Sequence, residues 1–498
     1  MNKALLKSIF SVFLIAFIFT FIATVKTDYF KYRINNSGIL NELEIRKGTT
    51  GFAIGHIKDT FEAWYKNDWY PIKNEVRQKL LKNRESKILE KKNTELIMRN
   101  GSTIFQGEFY RLHYVVPGYL INKEISPITT NIILALISLF FIILTCLKEN
   151  KIIFLIIFIL TLISSDYYIY ENFVNENIFA VPISISIIFF CFIHIFDENF
   201  KRYFYFYSFF LGILISLFTN IRSEFVFLIL TYLISVFFYY NLKKIISSSI
   251  ILLTVFFISN NVLNDRFVDK INKTNEILEK QNGVPYKGPI GSGHTFWHPF
   301  WMGFGDNIIG QKLGFQWGDI YAYNYVAGIN PGLFNKDEIE GHSLKSSYDL
   351  YGIYQKKPEL IPEYQLTLKK DLIQKFKENK IKFLKIYSIK FKNFLTKLQG
   401  IDYSYLNNPF YKKYLNGFYI FLISLIIFIC FIIYEKSINS SKFYLKFIFI
   451  TLPTGLSSLI VSDMGATYVS FFHFILFGSI FQMFYDLIKF NLPKFFRL

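Results

Sequence analysis

Cysteine is nearly absent from this 498-residue chain, which has only Cys146, Cys191 and Cys430. Each falls in or at the edge of an apolar run, so the long polar stretches hold none and a disulfide-stapled fold is excluded there. Acids are scarce beside bases, 37 Asp and Glu against 55 Lys and Arg, for a formal net charge of +18. No nucleic-acid motif accompanies that charge, and no nucleic-acid partner is expected. An HExxH motif, the helical signature of many zinc hydrolases, is missing. So is an A-x-A-like exit after the first apolar run; although Lys3 and Lys7 stand at its start, residues 4 to 25 read as an uncleaved anchor. There is no internal repeat or low-complexity tract.

What the chain has in abundance is apolar surface: 52% of residues are hydrophobic and mean hydropathy is positive. Apolar runs approach the roughly 20 residues a helix needs to cross about 30 Å of hydrocarbon. They fall at 4 to 25, 130 to 147, 152 to 165, 178 to 196, 203 to 219, 225 to 240, 245 to 260, 416 to 434, 446 to 461 and 468 to 487. Because lipid cannot satisfy open backbone, all are expected to be helices. The chain thus reads as an all-α polytopic membrane protein with about ten transmembrane helices.

Lysines and arginines fix its orientation. Alternate connections carry Lys148 and Lys151, Lys201 and Arg202, Lys243 and Lys244, Lys436 and Lys442, and finally Lys489, Lys494 and Arg497. The positive-inside rule puts these, and both termini, in the cytoplasm. The opposite loops 166 to 177 and 462 to 467 contain no Lys or Arg. The domain plan is a first anchor (1–25), a first outward loop with amphipathic helices (26–129), helices two to seven (130–260), a second outward loop or cap (261–415), and the last three helices with the tail (416–498). The absence of cysteine from the outward loops agrees with a bacterial inner-membrane protein whose two loops form a mostly helical periplasmic cap.

Within the loops, Asn74–Met98 spaces Val76, Leu80, Leu81, Ile88 and Leu89 near helical period among charges, and an amphipathic helix at the bilayer face is expected. Tyr364–Leu398 is a longer example with lysines between Phe, Leu and Ile, as expected of an interfacial helix leading into the next span. Between Gly283 and Asn335, dense Gly, Pro, Trp and Tyr predict a folded loop cap without regular structure.

Several polar groups lie where charge or order is costly. Arg222, with Glu224 in TNIRSEF, is the cation of a short outward turn. A guanidinium fork suits phosphate; the plainer reading is an ion pair that closes the turn. Asp166 follows the third span beside tyrosines, either as a functional acid or as a helix-end carboxylate in water, and Asp463 admits the same plain reading. Asp59 and Glu62 in GHIKDTFEAWYKNDWY share a helical face if that segment is helical, which suits a general base or a divalent cation such as Mg or Mn. Their plainer reading is a solvated surface. Nearby Trp64 and Trp69 offer aromatic faces for an amphipathic ligand, and Arg111 and His113 in GEFYRLHYVVPGYL could form a second rim of the same site.

The stretch GSGHTFWHPFWMGFGDN gathers His294, His298, Trp297 and Trp301. The four-residue histidine spacing would suit zinc on a helix, but Pro299 and the glycines argue against a continuing helix, and no metal set is assigned. A hydrogen-bonding or phosphate-binding role and simple packing both remain open for these histidines.

A first-loop acid, an Asp after the third span, the LFTNIRSE segment and a late large loop ending in a Lys-rich helix together resemble the GT-C class of integral membrane glycosyltransferases. RLHYVVPGYL is similar to the PGYP-like approach to the second span in relatives that use dolichyl- or undecaprenyl-phosphate sugars, such as mannosyltransferases. The Asp-Glu or Asp-x-Asp pair of many members is absent; this chain offers Asp59 with Glu62, or Asp28 alone. The resemblance implies a GT-C-like fold and an inverting transfer from a polyprenyl-phosphate-linked sugar to a lipid or glycan acceptor at the outer membrane face. It implies phosphate held by Arg222 with His294, His298 or Arg111, a base at Asp59, and Trp64, Trp297 and Trp301 as stacking surfaces. Two competitors are an O-antigen polymerase or ligase, which RSEFVFLIL also resembles, and a non-catalytic envelope polysaccharide transporter.

Overall fold

The computed structural model describes residues 62–77, 93–98, 203–221, 223–288, 296–330 and 360–396, together with single helical positions among 140–156, 453 and 481–485. The expected spans 4–25, 178–196, 416–434 and most of 130–147, 152–165, 446–461 and 468–487 lie outside the described residues. The described part is mostly helical.

Three apolar helices follow one another: α1 (Phe204–Ile221), α2 (Phe227–Tyr239) and α3 (Leu242–Lys280), with a 3₁₀ turn at Ser223–Val226 between the first two. Asn241 starts α3 by accepting a hydrogen bond from the Lys244 N–H at 3.1 Å, satisfying a backbone donor that the first turn would otherwise leave open. By length and composition, α3 is able to cross a membrane. At 1.5 Å per residue its 39 residues extend about 58 Å, roughly twice the thickness of hydrocarbon. It therefore runs past residue 260, where the apolar signal stops, without a break.

α1 packs on α3 through small residues. An added Cβ on Gly212 would stand 2.8 Å from the Leu252 carbonyl oxygen and 3.0 Å from Val255 Cβ, so the two backbones meet at a distance only glycine permits. Ser208, Ser216 and Ser248 are fully buried. Ser208 Oγ and the Tyr232 hydroxyl lie 2.6 Å apart, tying α1 to α2, while Asn220 Nδ2 donates to Asn260 Oδ1 at 2.8 Å, tying α1 to α3. Phe206, Phe237, Phe257 and Ile258 point outward instead.

The ends of Asn74–Met98 are strands, a correction to the amphipathic helix expected there: β1 (Ile72–Arg77) and β2 (Asn93–Met98) pair antiparallel with Ile72 opposite Met98 and Arg77 opposite Asn93. The reason is tertiary. Ile72, Leu96 and Met98 join a core with Phe267, Ile271 and Leu278 of α3, and β2 gains a parallel bridge from Ile97 to Val284. Packing of this kind overrides weak local periodicity.

α3 ends in a Schellman turn: the Asn282 N–H donates to the Glu279 carbonyl and the Gly283 N–H to the Leu278 carbonyl at 2.7 Å. Asn282 supplies the left-handed residue (φ 54°) that the motif requires. The chain then enters the bridge to β2, the Val284 N–H donating to the Leu96 carbonyl at 2.8 Å.

The cap is more regular than Gly and Pro density suggested. It contains α4 (Trp297–Gly303), a 3₁₀ turn (Phe304–Asp306), α5 (Ile308–Gln311), α6 (Asp319–Ile329), α7 (Ile361–Glu378) and α8 (Lys380–Thr396). Pro299 is tolerated because it sits in the first turn of α4, where its missing N–H has no helical partner to lose. The single helix expected over Tyr364–Leu398 is divided at Asn379, which is non-helical (φ −129°, ψ 37°) and whose carbonyl accepts from Lys382 and Phe383. The core combines Trp301, Phe304 and Phe315 with Tyr323, Val326, Tyr364, Leu368, Leu372, Phe383 and Ile386.

Candidate functional site

At its charged end α3 offers one continuous face, Phe267, Lys270, Ile271, Thr274 and Leu278, spaced by three or four residues and buried under the first loop. Glu62–Lys66 form a single π turn closed by the Asn67 N–H donating to the Glu62 carbonyl at 2.9 Å, and the chain from Asn67 to Tyr70 then drops onto α3. Thr274 Oγ1 accepts from the Tyr70 N–H at 2.8 Å and donates to the Lys270 carbonyl at 2.7 Å. Asn275 grips the Tyr286 backbone at both ends, donating to its carbonyl at 2.9 Å and accepting from its N–H at 2.8 Å.

Charge completes the joint. Lys270 Nζ donates to Asp68 Oδ1 at 2.7 Å and stands 4.7 Å from the centre of the Trp64 ring, while Lys273 donates to the other carboxylate oxygen. Asp68 takes the left-handed backbone region (φ 59°) to reach both lysines. The Lys270 hydrogen bond, followed by that of Lys273, holds its carboxyl down at about 2. Asp68 also lifts Lys273, with Asp269 and Glu276 adding to the effect. The cluster is charge-compensated and is built to hold the first loop against α3.

A second polar group lies inside the cap. Asp371 accepts from Trp301 Nε1 at 2.9 Å and from the Tyr325 hydroxyl at 2.5 Å, and Lys375 stands 3.0 Å from it. Lys375 also donates to the Tyr325 hydroxyl at 2.8 Å and faces the Phe315 ring at 4.7 Å. Burial first, then the hydrogen bond to Asp371 and its charge, raises the Tyr325 hydroxyl above its ordinary value. Burial alone lifts Tyr387 to about 12. Nearby, His298 is buried, its Nδ1 2.5 Å from the Tyr364 hydroxyl, its backbone N–H donating to Gln365 Oε1 at 3.2 Å, and its ring stacked on Tyr323 at 5.2 Å.

The expected site residues are thus distributed over two places. Trp64 and Glu62 belong to the joint on α3, Trp64 half-buried beneath the Lys270 ammonium. Trp297 is half-buried at the cap edge with Lys369 5.3 Å from its ring centre. Trp301 is 1% exposed, between Phe315 and Tyr325, and presents no open ring face. Asp59, Asp166, Arg222, His294, Arg111 and His113 lie outside the described residues. Among the described residues no group of three or more His, Cys, Asp or Glu could hold a metal ion.

Sequence reasoning passed over Asp68, Lys270, Lys273, Asp371 and Lys375. The one local clue was the repeat of Lys at 270 and 273 beside Thr274 on a helical face, which marks a side of α3 that is not simply solvated. No family model matches the chain, and neither a curated protein nor a solved structure does.

Proposed function

We propose that this chain is a membrane glycosyltransferase of GT-C type that moves a sugar from a polyprenyl-phosphate donor to an envelope glycan or lipid acceptor at the outer face of the membrane. One observation supports the reading: the loop segment that follows Asp59, from Glu62 to Tyr70, is fastened to the charged end of α3, beyond its apolar half, through Asp68, Lys270 and Thr274. A reaction drawing its base from the first loop and its substrate contacts from the second needs the two loops joined in this way.

In the proposed reaction Asp59, supported by Glu62, accepts the proton of the acceptor hydroxyl, with Asp166 as the alternative base. The hydroxyl oxygen attacks the anomeric carbon as the bond from that carbon to the phosphate oxygen breaks, inverting the centre. The electron pair leaves on the lipid phosphate, where Arg222, with Arg111 and His294, stabilises the charge. Trp64 and Trp297 are the proposed aromatic contacts for sugar, and His298 and Trp301 serve the cap core.

The test is transfer of radiolabelled sugar from polyprenyl-phosphate donors to extracted envelope acceptors by the purified chain, beside Asp59→Asn and Arg222→Ala variants that retain wild-type elution and helicity. Removing a general base is expected to cost about 10²–10⁴-fold in rate. Full transfer by Asp59→Asn would move the base to Glu62 or Asp166. No transfer from any monosaccharide donor, with turnover of diphosphate-linked oligosaccharides, would replace this reading with a polymerase or ligase.

A further inference from the structure

α8 has two apolar faces and only one of them belongs to the cap. Phe383, Ile386 and Lys390 are buried, with Tyr387 partly so, against Phe304 and its neighbours. On the other side Ile381 is 73% exposed, Leu384 69% and Phe391 46%. With Ser388 these residues fall at 381, 384, 388 and 391, a stripe about 80° wide at 100° per residue, well separated from the buried arc. Lys385 and Lys392 border it on one side and Lys380 on the other, all exposed, and α8 contains no acidic residue.

We infer that this stripe seats the cap on an anionic bilayer surface. A row of large apolar side chains in water costs free energy that water-exposed cap residues have no reason to bear. Apolar residues flanked on both sides by lysine are the arrangement by which a helix lies in a headgroup layer, the rings and branched chains entering the acyl boundary and the ammoniums meeting lipid phosphates. Among the occupants of such a face, the charge selects lipid: with no carboxylate on the helix, a protein partner would need an acidic rim, whereas an anionic bilayer supplies negative charge along the whole length. α7 repeats the pattern more weakly, with exposed Leu366, Ile373 and Phe376 beside Lys370 and Lys377. The cap core then lies directly above the headgroups, separated from them by the thickness of α8. The proposal needs only that the chain be held at a membrane, for which α3 has the length and composition; it is independent of glycosyl transfer.

The experiment uses the full chain with Cys146, Cys191 and Cys430 changed to alanine, reconstituted in lipid nanodiscs of phosphatidylcholine with or without phosphatidylglycerol. Nitroxide labels are placed singly at Ile381→Cys, Leu384→Cys, Phe391→Cys and Lys382→Cys, all exposed positions that leave the core intact. In anionic discs the first three are expected to collide with dissolved oxygen in preference to an aqueous nickel chelate, and the label at 382 to show the reverse. Lys385→Glu and Lys392→Glu are each expected to lower the ratio of seated to unseated cap about fivefold or more. Equal nickel access at all four positions would overturn the proposal. So would protection that is indifferent to lipid charge and to both glutamates, or spin-spin broadening showing that a second copy covers the stripe. No sugar donor is involved, so a failed transfer assay and a failed docking assay are separate results.

Discussion

The apolar helices and the cap differ in what makes their closest contacts. Where α1 meets α3, the closest approach is made at a small residue, Gly212, with buried Ser216 and Ser248 beside Leu211, Ile215, Leu252 and Phe256, while Phe206 and Phe257 face out. In the cap the large rings, Trp301, Phe304, Phe315 and Phe383, are buried together. The difference is the one that a change of solvent from water to lipid would produce. In water, burying a Phe-sized side chain is worth about 1.5–3 kcal/mol, so rings go inside. For helices placed in lipid, as proposed for α1 to α3, that gain disappears, and close backbone approach with short hydrogen bonds takes its place.

The sharpest way to break the comparison is to remove its largest ring. Trp301→Ala should destabilise the cap by about 4 kcal/mol, since it empties a core position and takes one donor from Asp371. Hydrogen exchange in nanodiscs should show the loss in the peptides of α4, α6 and α7, with α1 unchanged; equal loosening of α1 would show that the two regions are one cooperative unit. Gly305→Ala should follow at about 3 kcal/mol, the upper end of overpacking, because its Cβ would stand 2.3 Å from the Gln316 carbonyl carbon. A neutral Gly305→Ala, read by the same exchange, would mean that the turn after α4 is not as tight as described.

On the other side of the comparison the expected effects are small. Ser208→Ala removes the partner 2.6 Å from the Tyr232 hydroxyl and should cost about 0.6 kcal/mol, the usual worth of a hydrogen bond between helices in lipid. Steric-trap or denaturant unfolding in bicelles measures it. A loss as large as that of Trp301→Ala would contradict the rule that separates the regions.

How much of this was legible in the sequence depended on the distance over which each signal acts. The expected spans 203–219 and 225–240 coincide with α1 and α2 to within two residues because apolar run length is a local property. The continuation of α3 to Lys280 was not legible: beyond Asn260 its apolar face is diluted by charge, and what buries that face is a hairpin about 200 residues earlier, as the Tyr70 to Thr274 hydrogen bond shows. The same separation hid the strands in Asn74–Met98. The Gly, Trp and His cluster was conspicuous, but composition does not tell which way a ring points. Gly305 and Gly310 allow backbones to touch, Trp301 fills the core, and His298 bonds Tyr364. Asp68 carries no local signal of its role, since its partner Lys270 is remote in sequence.

The joint between the first loop and α3 should give the smallest effect, and one with a definite sign. Asp68 is held at about 2 by Lys270 and Lys273, below the ordinary unfolded carboxyl near 3.9. A depressed folded value means that its contribution is complete above about pH 4 and is lost as pH falls from about 4 towards 2. Because the Asp68 side chain is 58% exposed, solvent screens the pair, and the contribution is about 0.5 kcal/mol, well below what the shift alone would imply. Hydrogen exchange of residues 62–77, normalised to that of α1 at each pH, should therefore loosen slightly but reproducibly below pH 4, while Asp68→Asn, which carries no titrating carboxyl, should be looser at pH 6 and change no further on acidification. An Asp68→Asn profile that still bends between pH 4 and 2 would assign the acid sensitivity of the joint to another carboxylate, Glu62 being the nearest in sequence.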